Sequence, residues 1–273
     1  MSTQNTYTTI TDRAFIIVGG DDRFDFLQGL ITNDVMKCRD GHLLYSCLLT
    51  PQGKYLYDFF MFDHNDTLVI DINAEDAAKM ASKLKLYKLR SKVTLDVSLD
   101  AFHISQIWGA GELSDVKDKM FKDPRRYGLG HRIYSQNDIS LDGIQGDYNY
   151  QRVICRAPEG IKDIEREKST MLEALMDEMD AVDFKKGCYM GQELTARTHY
   201  RGLLKRKLYS YVASAGAHIS QGDKVLSEEG KNIGQIRSVY NSGQAPFGFA
   251  LMKVDSDFDA PIKTEDNIVI KMV

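Results

Sequence analysis

Apolar positions recur along this chain with two different periods. Near the start, Phe15-Ile16-Ile17-Val18 before Gly19-Gly20 predicts a strand and a turn, after which Asp21 or Asp22 can cap a helix carrying Phe24, Leu27 and Gln28 and ending near Gly29. Three β-rich runs follow, over 43–49, 55–62 and 67–72, separated by Pro51-Gln52-Gly53 and by Asp63-His64-Asn65-Asp66, and they predict an antiparallel meander. Asn73 then caps an amphipathic helix over about 75–86, with Ala77, Met80, Ala81 and Leu84 on one face, and strands return at 93–97 and 103–108. Between 169 and 180, Met171, Leu172, Leu175, Met176 and Met179 predict a second helix whose apolar stripe reads as core. Beyond Lys207 the texture changes to short strands at 208–213, 224–226, 233–240, 247–254 and 267–273 between Gly, Asp and Ser clusters, the pattern of a small antiparallel barrel. Strand runs broken by isolated helices place the chain in the α+β class, with the barrel over 206–273 and everything before it, 1–205, in one larger unit.

Composition narrows the class without naming it. With 273 residues, 43% of them hydrophobic and 27% charged, the chain is globular and large enough for two or three modules sharing substantial cores. Met1-Ser2-Thr3-Gln4-Asn5-Thr6 lacks the basic and apolar regions of a secretory signal, Arg13 is the first basic residue, and no apolar run is long enough to span a bilayer; no membrane partner is expected. The four cysteines contain no C-x-x-C pair, so neither a disulfide framework nor a zinc or cluster cage is written here, no metal site is expected, and a reducing compartment fits best. No G-x-G-x-x-G or G-x-x-x-x-G-K-[ST] nucleotide loop occurs. The net charge of −4 is unevenly spread: from Lys185 to Lys207 there are seven Lys/Arg residues against Glu193, a local charge of +6. Such a run is a solvated face, or it holds anionic carboxylates, an RNA backbone or an acidic partner.

The densest chemistry lies inside that run. Lys186-Gly187-Cys188-Tyr189-Met190-Gly191-Gln192-Glu193-Leu194-Thr195-Ala196-Arg197 sets a thiol, a carboxylate, an amide and a guanidinium around two glycines. The glycines permit a tight turn and close backbone approach, and the residues from Gln192 read as the opening of a helix. Cys188 just before a helix N-terminus, with Lys185 and Lys186 nearby, is placed where a thiolate forms more easily. It is a nucleophile, a ligand of a transient metal or cluster, or a small buried apolar residue, and His199 is the nearest candidate base. Glu193 and Arg197, spaced i, i+4, form a surface ion pair or hold a ligand.

This stretch closely resembles the K-G-C-Y-x-G-Q-E-x-x-A-R signature of the YgfZ-type folate-binding proteins, a branch of the aminomethyltransferase (glycine-cleavage T-protein) superfamily associated with iron–sulfur protein maturation. Thr195-Ala196-Arg197-Thr198-His199 with Arg201-Gly202, and Pro158-Glu159-Gly160 with Asp163, resemble the iron–sulfur assembly factor subgroup. The resemblance extends through Phe26-Leu27-Gln28-Gly29, Thr32-Asn33-Asp34-Val35, Leu48-Leu49-Thr50-Pro51-Gln52-Gly53-Lys54 and Leu89-Arg90-Ser91-Lys92-Val93, so it spans roughly 15–250.

The resemblance implies an aminomethyltransferase-like folate-binding domain of two α+β subdomains over 1–205, closing with the C-terminal barrel around a central channel, with Cys188 at its mouth and tetrahydrofolate or a folate derivative inside. It makes Cys188 and Asp58 the candidate catalytic residues. Lys186, Tyr189, Gln192, Glu193, Arg197, Arg201, Glu173 and Arg152 become the candidate folate contacts, with the pterin near Gln192-Glu193 and the glutamate tail toward Arg197, Arg201 or the 205–207 cluster. Asp58 stands where the related aminomethyltransferases have two successive acids, with Tyr57 in the other place. Glu173 is kept where the family has Pro-x-Glu-x-Asn, but Met171 and Leu175 replace the proline and asparagine. Arg152 falls where some relatives have an aromatic pocket residue; the alternative is a surface strand arginine. The implied function is a tetrahydrofolate-binding accessory factor for assembly or repair of iron–sulfur clusters, with carrier or client proteins as partners, in the cytoplasm of a bacterium or the mitochondrial matrix of a eukaryote. Two alternatives stay open: a folate-dependent one-carbon transferase acting on protein or tRNA, and a folate-binding adaptor without chemistry.

Overall fold

The computed structural model describes residues 4–111, 119–202, 204–243 and 245–273, so the first three residues of the N-terminal stretch read above lie outside it. The predicted meander is the heart of a five-stranded antiparallel sheet, ordered Leu44–Leu49, Tyr55–His64, Thr67–Asn73, Arg13–Gly19, Thr94–Ser98. Its strands are near-continuous apolar runs because both faces are covered. One face packs on the helices Arg23–Gln28 and Ala74–Lys88; the second begins at Asn73, whose side chain accepts from the Glu75 N–H, and buries Ala77, Met80, Ala81 and Leu84.

A second sheet is less visible in the sequence. It runs Ile144–Gln145, Thr6–Ile10, His103–Trp108, His131–Ser135, Lys119–Lys122, with its first pair parallel and the rest antiparallel. Trp108, the one tryptophan, ends the His103–Trp108 strand of this sheet. From Arg206 the chain forms a seven-stranded antiparallel sheet whose Arg206–Ala213 and Pro246–Lys253 strands pair over seven residues and close it into a six-stranded barrel. The strand expected over 233–240 is broken into Asn232–Ile236 and Tyr240–Asn241, and Ile262–Thr264 is an additional barrel strand.

The segment 169–180 is not a helix. Its backbone bonds mix three spacings: Leu175 N–H to Leu172, Ala174 N–H to Thr170, and Met176 N–H to Met171. Leu175 and Asp180 hold left-handed backbone, at φ 61° and 53°. A residue there interrupts the i→i−4 ladder and turns the chain. The core reading of its stripe holds, since Met171, Leu172, Leu175, Met176 and Met179 are all buried. They lie in a central core shared by both sheets and by the barrel residues Leu208, Phe247, Phe249 and Leu251.

Candidate functional site

The signature loop is built on two glycines. Gly191 caps the helix Gln192–Arg201 at φ 81°, and Gly53, in the Pro51-Gln52-Gly53 turn, holds φ 79°. Each position excludes a side chain. A Cβ on Gly191 would lie 2.5 Å from the Thr50 carbonyl oxygen, and one on Gly53 would lie 2.6 Å from the Gly191 carbonyl oxygen. Two motifs far apart in sequence are thus pressed backbone to backbone.

Lys186 fixes the other end of the loop. Its ammonium donates to the carbonyls of Gln28, Ile31 and Asn33 at 2.7, 2.9 and 2.8 Å, using all three of its protons. Burial brings its pKa down to about 8, with Asp34 and Asp183 acting in the opposite direction. Gln192 accepts from the Tyr189 N–H at 2.8 Å, and the half-buried Tyr189 ring packs against the central core. Burial pushes the Tyr189 hydroxyl up to about 12. These three residues hold the loop; held this way, it leaves Cys188 exposed.

The loop that carries Cys188 and the helix after it present cationic and aromatic groups. Lys185, Arg197, Arg201, Lys205 and Arg206 are exposed, as is Glu193, and among the described residues Glu193 and Arg197 form no ion pair. His199 stacks on Phe184 at a centroid distance of 3.8 Å, and Tyr200 is 72% exposed beside them. Glu173, one of the expected folate contacts, accepts from the Thr170 N–H and hydroxyl, both at 3.0 Å, and closes the turn before the Met-rich segment.

Asp58 and Arg152 belong to a second centre. Asp58 is buried and accepts from the Tyr45 hydroxyl at 2.7 Å, from the Tyr55 hydroxyl, and from the Gly160 N–H at 3.1 and 3.2 Å. Burial raises its pKa, Glu159 adds to this, and the tyrosine bonds oppose it. Arg152 is neither on a strand nor at the surface. It sits in the helix Tyr148–Ile154, buried, donating to Asp163 at 2.8 Å and to the Tyr240 hydroxyl at 2.9 Å, because a guanidinium facing the core must have every donor answered. The Pro158-Glu159-Gly160…Asp163 turn links the two. Glu159 accepts from Arg13 at 3.0 Å and Arg125 at 2.5 Å, and Asp163 from the Glu159 N–H at 2.8 Å. Burial works against the Glu159 charge, but Arg125 and Arg13 overcome it and hold the carboxyl well below the usual range. Asp71 ties the sheets together, taking Arg13 at 2.6 Å, Arg132 at 2.7 Å and the Tyr134 hydroxyl at 2.8 Å. The Arg132 and Arg125 guanidiniums both lie over the Phe60 ring, at 4.4 and 4.6 Å from its centroid.

A cavity of about 600 Å³ opens against this network, lined by Arg13, Asp58, Asp76, Tyr148, Arg152 and Tyr240 among others. Cys188, Glu193 and Arg197 are not among its lining residues. The network residues Arg13, Asp71, Asp123, Arg125 and Arg132 escape a motif reading, while their partner Glu159 lies in the Pro158-Glu159-Gly160 turn. Their signal is a charge inside an apolar strand, as in Leu68-Val69-Ile70-Asp71-Ile72, which requires a buried partner.

Two sheets and a closed barrel in this order define an aminomethyltransferase-type fold. The solved structure of the glycine cleavage system aminomethyltransferase T from Bartonella henselae matches with a TM-score of 0.75 over 99% of this chain and 85% of that one, at 14% identity. No protein-family model matches the chain. It is similar to the mitochondrial homologs of iron–sulfur cluster assembly factor IBA57 from Mycosarcoma maydis, 33% identical over 73% of this chain and 55% of that protein, and Neurospora crassa, 32% identical over 74% and 52%. Human mitochondrial IBA57 is 28% identical over 88% of this chain and 75% of its own length. These IBA57-type proteins are its homologues, and the chain spans about half the length of the two fungal relatives.

Proposed function

We propose that the protein is an accessory factor for assembly or repair of iron–sulfur clusters, in which the exposed Cys188 thiol meets a cluster-bearing carrier or client protein. The observation that carries this reading is the presentation of Cys188: a solvent-facing thiol on a loop held by Lys186, Tyr189 and the Gly53–Gly191 contact, with exposed Lys185, Arg197 and Arg201 on the same loop and the helix that follows it, in a chain related to assembly factors. Such cations favour approach of an acidic face, an attraction that weakens with salt. A reducing compartment suits it, the mitochondrial matrix or the bacterial cytoplasm.

Tetrahydrofolate is the cofactor this fold suggests, and the 600 Å³ cavity fits its pterin. Its volume is within the range of ligand pockets, about 300–1,000 Å³. Asp76, 5% exposed on its wall, has one carboxylate oxygen, Oδ1, that accepts no hydrogen bond and meets only the exposed Lys79 ammonium, at 3.9 Å. A pterin's amino and ring N–H groups supply donors for it. Asp76 would orient the ring, Tyr148 and Tyr240 would flank it, and Lys162 at the rim would meet the glutamate tail. A reduced folate, when bound, supplies an electron-rich ring able to carry a one-carbon unit. Asp58 already accepts from two tyrosine hydroxyls and the Gly160 N–H, which compete with proton transfer to a ligand. That argues against the one-carbon transferase.

The test is rescue of a [4Fe–4S] enzyme in cells lacking the native protein by Cys188→Ala, read beside the variant's thermal midpoint and tetrahydrofolate affinity. Lost rescue with the other two preserved supports the proposal. Full rescue leaves a folate-binding adaptor as the better reading.

A further inference from the structure

The helix Ala74–Lys88 buries its apolar stripe as far as Leu84 and then ends in a segment of different character. Residues 83–92 carry Lys83, Lys85, Lys88, Arg90 and Lys92 and no acid. Among the described residues none of the five has an ion-pair partner. Leu86 is 74% and Leu89 89% exposed, while Tyr87 between them packs toward the core. Leu89 also holds φ 44° and ψ −108°, a backbone conformation that costs a leucine free energy and gains it no buried contact. The acid that reaches the segment is Asp22, whose carboxylate accepts from the Lys92 N–H at 2.7 Å.

We propose that residues 83–92 form a docking patch for an anionic lipid bilayer surface, with Leu86 and Leu89 entering the headgroup–acyl boundary while Lys85, Arg90 and Lys92 meet lipid phosphates. Protruding aliphatic tips ringed by unpaired cations match that layered surface: apolar burial and headgroup attraction act together, and the lysine stems lie along the boundary. A single-stranded nucleic acid would call for exposed rings on which bases stack, and the patch's one aromatic residue turns inward. No helix among the described residues is long and apolar enough to cross a membrane, so the contact is with the surface alone.

The experiment is co-sedimentation of the full chain with phosphatidylcholine vesicles, with and without added phosphatidylglycerol. Binding is expected only to the anionic vesicles and weakens with salt. Lys85→Glu/Arg90→Glu is expected to lower the partition coefficient by on the order of 100-fold, and Leu86→Ser/Leu89→Ser by roughly 10- to 100-fold. Thermal midpoints should hold in both, since all four side chains are exposed. Leu89→Gly separates the roles further: it relaxes the backbone, so it should hold or raise the midpoint while lowering vesicle binding. Equal sedimentation with both vesicles overturns the proposal, as do variants that sediment like the parent. Binding of an RNA duplex, lost in Lys85→Glu/Arg90→Glu while vesicles stay unbound, overturns it in favour of a nucleic-acid surface.

Discussion

Gly53 and Gly191 face each other across the join between the hairpin and the signature loop, each in left-handed backbone and each occupying the space a neighbour's side chain would need. A Cβ on Gly191 would also come within 3.0 Å of the Gly53 Cα. Both the conformation and the clash involve main chain, so neither is relieved by a side-chain rotation. Gly191→Ala should therefore destabilise by about 2–4 kcal/mol in denaturant unfolding, well beyond the ordinary Gly/Ala difference. A loss below about 1 kcal/mol would show that the two loops separate easily.

Glu159 bridges Arg13 and Arg125, each of which also pairs with a buried aspartate, Asp71 and Asp123. Glu159→Gln leaves two buried guanidiniums short of charge, a loss of about 3–5 kcal/mol when a buried pair is broken. The sign of the pH dependence follows from its depressed pKa. The stabilisation is present above the ordinary glutamate range, near 4.3, and is lost as pH falls below it, when the unfolded chain takes up the proton first. Acid unfolding of the parent should accordingly be steeper than that of Glu159→Gln.

Asp76→Asn tests the placement of the pterin. It keeps the size of the side chain but replaces one carboxylate oxygen with an amide that donates, so tetrahydrofolate affinity should fall roughly 10- to 100-fold, the cost of a charged hydrogen bond. Glu193→Gln, outside the cavity, should leave affinity unchanged. Isothermal titration of both distinguishes this site from one on the signature helix, where the order would reverse.

Thiol reactivity should follow exposure. Cys38 and Cys47 are buried, and burial pushes the first up to about 12 and the second well above its ordinary value; Cys155 is half-buried and also raised. Brief iodoacetamide treatment with mass mapping should label Cys188 first. Labelling at Cys155 before Cys188 would mean that the signature loop is closed in solution.

What could be read along the chain was whatever local periodicity records. The meander, the Asn73 cap and the barrel strands show as alternating or continuous apolar runs whose neighbours in sequence are neighbours in space. The second sheet does not, because Thr6–Ile10 is largely polar and Lys119–Lys122 is a short edge strand. The Met-rich segment imitates a helix because its apolar residues are helically spaced, while the left-handed turn at Leu175 leaves no mark in composition. In the site, the position of Cys188 was legible from its glycines and cations. The ammonium of Lys186 was not, since nothing local says that three carbonyls await it from residues 28–33. Arg13 and Glu159 meet across 146 positions, a pairing that only the completed fold brings about.

The shared central core sets a schedule for synthesis. Phe247 and Phe249 are among its fully buried members, yet they follow the strands of both sheets in the chain. While a ribosome is still translating, Tyr45, Met171 and Met176 have no complete apolar cover, and neither sheet can finish packing until the barrel strand Pro246–Lys253 has emerged. A nascent chain stalled or truncated before that strand carries an open apolar face, which makes it a natural client for chaperones and proteases and leaves little room for a stable partial product.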